Sequence, residues 1–344
     1  MGSAPGSAAG PAPLGLTGVP DEATMRRAVE CAVRAPSIYN CQPWRWRASV
    51  SDGVDLFADP DRHLITTDPQ GRDLLLSCGA ALHHLTVAFA DLGWSVQITR
   101  LPDPENVHHL AHVQPRPVAP PAGMARLARA IPRRRTDRRR FSADPVAAEL
   151  LDTLVEQAAS CGAELYVVTD TTTRRHLIET ITASASLQRQ QLGYAAEIAR
   201  WAGRYAGPDD GIPPGTVPSG LSRPGDVPMR SFRQGTLAQP PHSFEHEDAS
   251  VLMVLGADRD DRLAALRAGE ATSAVLLAAT DFGLATTPLS QPLEVAQTRA
   301  SISAHIGPQL FAQLVLRVGW ADRGAPELPP TPRRRLDRVL LPSR

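Results

Sequence analysis

Apolar residues recur at helical intervals in two long stretches of the chain. Over residues 72–92 they are spaced three or four apart, and Gly93 follows as a residue that can end a helix. A second stretch, residues 262–282, is also apolar and is followed by Gly283. The apolar positions of the first stretch are Leu75, Cys78, Leu82, Leu85, Phe89 and Leu92. The pattern predicts two long helices, each with a glycine behind it.

Shorter stretches predict the other helices and strands. Helices are expected over residues 21–34, 146–160 and 173–201. The first of these ends before Pro36, because a residue that precedes proline is pushed out of the helical region. Strands are expected over residues 45–50, 94–101, 163–168, 251–255 and 311–318.

The two long predicted helices are related by a shift of 190 residues. Residues 79–93 align without a gap on residues 269–283. The identical positions are Gly79/Gly269, Ala81/Ala271, Ala88/Ala278, Asp91/Asp281 and Gly93/Gly283. Alanine-rich helices resemble one another by composition, so coincidence is the alternative explanation. A true repeat would mean two related halves packed on a pair of buried helices, as in a symmetric dimer joined into one chain.

Proline and glycine mark the expected boundaries. Residues 1–20 have few side chains to bury, so a flexible leader is expected, and the prolines of residues 113–125 predict an extended linker. Residues 201–247 are too long and too broken for an ordinary connection, which leaves a lid or a disordered surface loop. The expected organisation is a leader (1–20), a first half (21–112), a linker (113–125), a second half (126–328) and a basic tail (329–344).

Composition excludes several classes of partner. Basic and acidic residues number 36 each, and every basic residue is an arginine, so no overall field attracts nucleic acid or an anionic membrane. No run reaches the roughly 18 to 20 apolar residues of a membrane span. The four cysteines lie far apart and are expected to be reduced. We expect a cytoplasmic protein without a nucleic-acid or membrane partner, in which any anion site is local.

Arginines cluster in two places. Six of them lie within residues 133–140 and enclose only Thr136 and Asp137, and a second group is Arg333 to Arg335. A guanidinium fork is suited to binding phosphate through two hydrogen bonds. The alternative is a solvated charged surface, which is the commoner use of a charge run. Two such clusters can converge on one phosphate only if the fold brings them together.

Other motifs are weaker. The loop over residues 36–44 offers Ser37, Asn40 and Gln42 to the edge of a planar heterocycle, and a structural turn is its alternative. The histidine pairs His108/His112 and His242/His246 lack a third ligand, so no metal site is expected. Signatures of acyl transfer, NTP hydrolysis and Rossmann dinucleotide binding do not occur in the sequence.

Two of these segments resemble motifs of the nitroreductase-type FMN enzymes. Ala35-Pro36-Ser37-x-x-Asn40-x-Gln42-Pro43-Trp44 resembles their flavin loop, and Arg134-Arg135-Thr136-x-Arg138 resembles their phosphate motif. Residues 269–283, Pro288-Leu289-Ser290 and residues 314–320 are similar to the last third of the family. The resemblance spans about residues 21–338.

The order of the motifs is similar to that of the Acg-type branch. Here the flavin loop precedes the arginine motif, whereas in an ordinary member the arginine motif comes first and two chains build two sites. The resemblance implies an α+β, nitroreductase-like fold whose two halves are fused into an intramolecular pseudo-dimer with a lid insertion. Met25-Arg26-Arg27-Ala28 and Ala158-Ala159-Ser160-Cys161-Gly162 lack the motifs of a second site, so one intact and one decayed site are expected.

The resemblance also implies contacts with an FMN cofactor. The phosphate and ribityl chain would be held by Arg134, Arg135, Thr136 and Arg138, with Arg333, Arg334 and Arg335 closing on the phosphate. The flavin ring would meet Pro36, Ser37, Asn40 and Gln42 from the other half, and backbone groups of Leu289 and Ser290 near its reactive N5 edge. The extra arginines, Arg139 and Arg140, leave the register of the phosphate contacts open by about one residue.

The implied function is an FMN-dependent oxidoreductase. NAD(P)H would pass hydride to flavin N5, and a nitroaromatic or quinone-like acceptor would then take it up in the same place, with no side-chain acid or base and no metal. A monomer or weak homodimer is expected, because the dimer interface of the family is already inside the chain.

Two alternatives have different consequences. One is a protein that sequesters FMN, in which the lid closes over the ring and excludes nicotinamide. Trp201 and Tyr205 lie at the start of this lid, and Phe232 and Phe244 lie farther along it. The other is an arginine-rich nucleic-acid binder, which the zero net charge disfavours.

Overall fold

A computed structural model describes residues 18–202, 209–219, 223, 225–232, 235–307 and 309–342. Most of the expected leader, Tyr205 and parts of the expected lid lie outside the described residues. The helices are α1 (Glu22–Ala32), α2 (Arg72–Asp91), α3 (Met124–Ala128), α4 (Ala148–Ser160), α5 (Thr171–Gln190), α6 (Tyr194–Trp201), α7 (Arg262–Asp281), α8 (Gln291–Glu294) and α9 (Ala296–Ile306). The strands are β1 (Trp44–Ser49), β2 (Gly53–Ala58), β3 (Ser95–Arg100), β4 (His109–Arg116), β5 (Glu164–Val167), β6 (Val251–Ala257), β7 (Ala285–Leu289) and β8 (Phe311–Gly319).

The strongly periodic elements form where the pattern predicts them, and the exceptions have local causes. The helix predicted over residues 173–201 is divided into α5 and α6, because Gly193 takes a left-handed conformation (φ 88°) between them. The linker predicted over residues 113–125 is wrong for its first four residues, which complete β4. Pro115 is tolerated there because it lies beyond Val113, the last residue of β4 that pairs with β2.

The two halves of the chain have the same topology. Each forms a four-stranded antiparallel sheet, in the order β1-β2-β4-β3 and β5-β6-β8-β7. Each sheet has a register shift in the corresponding strand, at Leu56/Phe57 in β2 and at Leu255/Gly256 in β6. The shift of 190 residues that relates α2 to α7 holds at both ends of the two helices. The repeat suggested by the sequence is therefore structural, and the expected fusion of two halves is confirmed.

The two central helices approach each other most closely at a pair of glycines. A Cβ atom at Gly79 would lie 2.0 Å from the carbonyl oxygen of Leu266, and one at Gly269 would lie 2.1 Å from that of Leu76. Each Cβ would also lie 2.9 Å from the Cα atom of the other glycine. Residues 79 and 269 are related by the repeat, so their contact marks the axis that relates the halves. Only glycine permits this approach.

The contact between α2 and α7 also contains buried polar side chains. Nδ1 of His83 lies 2.8 Å from Oγ of Ser273, and these two positions are again related by the repeat. Burial lowers the pKa of His83 to about 4, so its ring is neutral and serves as a hydrogen-bonding group. Among the described residues α2 is long and apolar enough to cross a membrane, but 89% of its apolar window is buried inside the protein. This helix is a core element.

The C-terminal segment joins the halves a second time. The N–H of Trp46 in β1 donates to the carbonyl of Val339 at 2.8 Å, and the N–H of Leu341 donates to the carbonyl of Trp46 at 2.7 Å. The tail thus leaves the second half and covers the edge strand of the first sheet. Val339 is fully buried in the apolar core of the first half, together with Trp44 and Trp46. The C-terminal tail, which is predicted as basic, therefore also stabilises the first half through its packing.

The glycine contact generates a test of the fold. Gly79→Ala places a methyl group against the backbone of α7, so the two helices must move apart. We expect the free energy of unfolding to fall by about 1–3 kcal/mol or more, as in other overpacked cores. Urea unfolding followed by circular dichroism measures the change. Gly215→Ala is the control, because no atom of the described residues lies within 4 Å of its added Cβ. Equal stability of the two variants would contradict the close contact.

Candidate functional site

Two adjoining cavities lie between the halves of the chain. The larger one, the main cavity, has apolar walls from α2 and from the end of β7, including Leu76, Ala80 and Leu289, and Thr272 of α7 also lines it. The smaller one, the arginine cavity, contains Asn40, Arg134 and Arg333. The residues common to both are Pro36, Ser37, Tyr39, Thr136, Arg138 and Ile212. An apolar chamber therefore continues into a cationic one.

The structure brings together most of the residues that the sequence singled out. Nine of the thirteen predicted residues line one or both cavities: Pro36, Ser37, Asn40, Arg134, Thr136, Arg138, Leu289, Ser290 and Arg333. The other four do not line them: Gln42, Arg135, Arg334 and Arg335. The first nine come from both halves and from the C-terminal tail, so the site exists only in the folded, fused chain.

The loop over residues 36–42 is held in a strained conformation. Tyr39, Asn40 and Gln42 all have positive φ angles, of 48°, 52° and 52°. Such angles are uncommon for residues other than glycine and cluster at functional sites. Two hydroxyl groups accept hydrogen bonds that fix the loop: Oγ of Ser77 from the N–H of Ile38 at 3.1 Å, and Oγ of Ser37 from the N–H of Gln42 at 2.9 Å.

The arginine motif is fixed against β7 in an extended conformation. The N–H of Asp137 donates to the carbonyl of Thr286 at 2.9 Å, and the carbonyl of Asp137 accepts from Oγ1 of Thr287. Alternate residues of an extended segment face opposite sides. Arg134, Thr136 and Arg138 consequently face the cavities.

The arginine cavity holds positive charge without a counter-charge. Arg134, Arg138 and Arg333 have no described carboxylate within ion-pair distance, and Nε and Nη1 of Arg134 and Nε of Arg333 have no hydrogen-bond partner among the described residues. Burial, together with the neighbouring guanidinium of Arg135, lowers the pKa of Arg134 to about 10. Burial and the neighbouring Arg134 lower that of Arg333 to about 9. Buried cations normally have partners, so this arrangement fits an anion with several acceptor oxygens, such as a phosphate.

Of the four predicted residues outside the cavities, three make hydrogen bonds close to the walls and one, Arg335, is exposed. Arg135 donates to the main-chain carbonyls of Leu328, Pro132 and Arg134. Arg334 pairs with Asp59, and its N–H donates to Oε1 of Gln42 at 2.8 Å. Arg335 is exposed and pairs with Asp337. Arg134 and Arg333 line the cavity whereas the next residues, Arg135 and Arg334, bind other groups, and a motif in the sequence does not reveal this difference.

A residue that the sequence did not single out covers the main cavity. Arg230, within the expected lid, donates to the hydroxyls of Tyr39 and Tyr194 and pairs with Glu294, whose side chain is fully buried. Phe232 lies edge-on to the ring of Tyr39 at 5.9 Å. Arg230 and Phe232 also line the cavity itself. Residues 228–232 therefore close the main cavity through a buried ion pair, and nothing in the sequence around Arg230 or Glu294 signals that pair.

The corresponding position of the other half is filled. The shift of 190 residues places Ala80 on Glu270 and Ser290 on Arg100. Arg100 donates to both carboxylate oxygens of Glu270, at 2.7 Å each, and Glu270 is 4% exposed. Two large paired side chains thus stand where the main cavity has a methyl and a hydroxymethyl group. This ion pair occupies the position of the expected second, decayed site.

Comparison with known proteins identifies the family. A model of the nitroreductase family matches residues 131–320, which is more than half of the chain. The chain therefore belongs to the nitroreductase family, and the predicted family is confirmed.

Two relatives that match this chain over more than nine-tenths of its length support the assignment. A protein of Mycobacterium tuberculosis (strain ATCC 25618 / H37Rv) named "Putative NAD(P)H nitroreductase Rv3131" is 44% identical over 334 residues, which cover 96% of this chain and 94% of the relative. Another from the same strain, "Putative NAD(P)H nitroreductase acg", is 36% identical over 317 residues, covering 92% of this chain and 95% of the relative. Among solved structures, the FMN-dependent nitroreductase NfnB from Mycobacterium smegmatis in complex with NADPH is 18% identical, with a TM-score of 0.40, covering 64% of this chain and 100% of that one.

The arginine cavity generates a test that needs no cofactor. We expect inorganic phosphate to raise the Tm of the apoprotein by about 2 °C or more, because it supplies the missing counter-charge. The double variant Arg134→Met with Arg333→Met should lose this gain and be at least as stable as the wild type without phosphate, since two uncompensated charges are removed. Arg335→Met is the matched control and should keep the gain. A phosphate effect that survives in the double variant would contradict the assignment.

Proposed function

We propose that this member of the nitroreductase family is an FMN-dependent NAD(P)H oxidoreductase that reduces a nitroaromatic or quinone-like small molecule. The observation that carries the proposal is the junction of an apolar cavity with a chamber of uncompensated arginines. A flavin mononucleotide has a planar apolar ring at one end and a phosphate at the other, joined by a hydroxylated chain. The two cavities offer each part the environment that suits it.

The described residues fit FMN at three points. The buried donors of Arg134 and Arg333 suit the phosphate, and Thr136, at the boundary of the cavities, suits the ribityl chain. Asn40 is 7% exposed, and its Oδ1 has no hydrogen-bond partner in the described part of the chain, so a buried acceptor faces the same region. The fit rests on these orphaned groups of opposite chemistry.

The protein's own part in the reaction is to bind, orient and exclude water. Bound FMN would supply the redox chemistry, namely ping-pong hydride transfer from NAD(P)H to the acceptor. Ser37 and the strained loop over residues 36–42 hold one side of the cavity, and Leu289 and Ser290 hold another. Arg230 and Phe232 cover the cavity and limit the entry of water. We further propose a cytoplasmic protein that acts as a monomer or weak homodimer.

The second candidate function is sequestration of FMN without turnover. The buried pair of Arg230 with Glu294 favours it, because breaking this pair to admit nicotinamide leaves two buried charges uncompensated. The two functions differ in one respect, namely whether residues 228–232 move away from the cavity in the loaded protein. Bleaching of the flavin band by NADPH under anaerobic conditions supports the enzyme, and a band that persists with both NADH and NADPH supports sequestration.

The proposed cofactor site predicts both affinity and stoichiometry. Titration should give one FMN per chain, because Arg100 and Glu270 fill the second position. Arg134→Met with Arg333→Met should raise the Kd for FMN at least about 100-fold, as two charge-assisted hydrogen bonds of about 1.5–3 kcal/mol are lost. Fluorescence titration of the apoprotein measures both quantities. Two FMN per chain, or unchanged affinity in the double variant, would overturn the site.

The closing segment predicts a change in rate. Arg230→Met with Glu294→Gln removes both charges of the pair, so residues 228–232 lose their anchor without leaving a lone buried charge. If the segment gates the cavity, we expect anaerobic reduction of the flavin by NADPH to be about tenfold faster or more. Arg223→Met, an exposed arginine of the same insertion, is the control. Equal rates in the wild type and the double variant would show that the segment does not limit access.

A further inference from the structure

A buried carboxyl group faces the main cavity without a hydrogen bond. Asp73 lies in the first turn of α2, is 3% exposed and lines the cavity. Neither of its carboxylate oxygens accepts a hydrogen bond from the described residues. Nη2 of Arg72 lies 2.7 Å from Oδ1, but the guanidinium of Arg72 donates instead to the main-chain carbonyls of Gln313 and Leu293. Asp73 is therefore close to a cation and yet poorly solvated as a carboxylate.

The charges around Asp73 do not balance. The cluster holds three carboxyl groups (Asp68, Asp73 and Glu294) and two guanidinium groups (Arg72 and Arg230). Glu294 pairs with Arg230 and accepts from Oγ of Ser290 at 2.7 Å, and Oδ2 of Asp68 accepts from the N–H of Leu74 at 2.8 Å. The other titratable groups of the cluster, the hydroxyls of Tyr39 and Tyr194, contact Arg230 and are neutral. These five groups carry an excess of one negative charge, and Asp73 is the carboxyl with the fewest donors. Arg138 lines the same cavity and interacts with Arg230 rather than with these carboxyl groups.

Protonation of Asp73 removes this excess of negative charge. Burial, together with the neighbouring carboxyl groups of Asp68 and Glu294, raises the pKa of Asp73 to about 8 against the opposing charge of Arg72. Burial also raises the pKa of Asp68, but only to about 6, because hydrogen bonds from main-chain N–H groups, such as that of Leu74, stabilise its charged form. At neutral pH Asp73 is consequently a carboxylic acid that can donate one proton toward the cavity.

We propose that Asp73 is a catalytic acid, which holds a proton beside the main cavity and gives it to an oxygen atom of the acceptor during reduction. The proposal rests on the oxidoreductase function. Reduction of a quinone to its hydroquinone consumes one hydride equivalent, which NAD(P)H supplies, and one proton. The Oδ–H bond of Asp73 breaks, its electron pair stays on the carboxylate, and an O–H bond forms on the acceptor. Arg72 stabilises the carboxylate until a solvent proton restores the acid.

The first experiment measures the proton of Asp73 in the apoprotein. A carboxyl whose pKa is higher in the folded state than its unfolded value of 3.8 loses stability as pH rises toward the folded value of about 8. Asp73→Asn lacks this proton, so its urea-unfolding stability relative to the wild type should rise over pH 4 to 8 with the slope of one proton. Asp91→Asn, exposed at the other end of α2, is the control and should run parallel to the wild type. A parallel curve for Asp73→Asn would mean an ionised Asp73 and overturn the proposal.

The second experiment separates proton transfer from electron transfer. Ferricyanide takes up electrons without a proton, whereas a quinone needs one. With saturating NADPH, Asp73→Asn should lower kcat for a benzoquinone about 100-fold and leave the ferricyanide rate within about twofold of the wild type. Only the quinone rate of the wild type should fall as pH rises through about 8. Equal effects on both acceptors, or no effect on either, would overturn the role of Asp73.

The design distinguishes the two possible failures. If NADPH does not bleach the flavin of the wild type, the oxidoreductase function itself fails, and the catalytic acid fails with it. If the wild type is bleached but Asp73→Asn reduces the quinone normally, only the catalytic acid fails. Asp73→Ser supplies a second neutral variant in case the first does not fold, because its smaller side chain fits the same space.

Discussion

The structure depends on the contact between Gly79 and Gly269, where two long helices cross with backbone against backbone. This close approach lets the two halves share one continuous core, since each central helix packs against residues from the other half. It also sets the distance between the strained loop of the first half and the arginine motif, which is fixed on β7 of the second half. The cavities exist in the space that this crossing leaves between the halves.

The two halves have the same topology, but the cavity is open at one of the two corresponding positions and filled at the other. In one position Ala80 and Ser290 leave space, and uncompensated arginines line the adjoining chamber. In the other position Glu270 and Arg100 fill the space and neutralise each other. Both arrangements are buried, and the difference lies in whether each cation has a partner within the chain. A paired charge makes a structural site, and an unpaired one makes a binding site.

Much of the fold and of the site was predictable, for identifiable reasons. The helices α2 and α7 have strong periodicity, and their alignment revealed the repeat. Short motifs indicated the family, which the comparison confirmed. The strands β2, β4 and β7 were not predicted, because β2 begins at a glycine and β4 and β7 each contain a proline. The division between α5 and α6 depends on the left-handed conformation of Gly193, which packs against Thr66 of the first half. Such contacts leave no local signal.

The residue types of the site and the duplication can be read from the sequence, because motif spacing and helical periodicity are local properties. Which side chains meet depends on the folded chain. It separated Arg134, which lines the cavity, from Arg135, which binds main-chain carbonyls, and it placed Asp73 in an unbalanced cluster with Arg72, Arg230 and Glu294. The physical reason is that burial and the balance of charge are set by neighbours far away in the chain. A carboxyl in the first turn of a helix is ordinary in sequence and becomes an acid only in that surrounding.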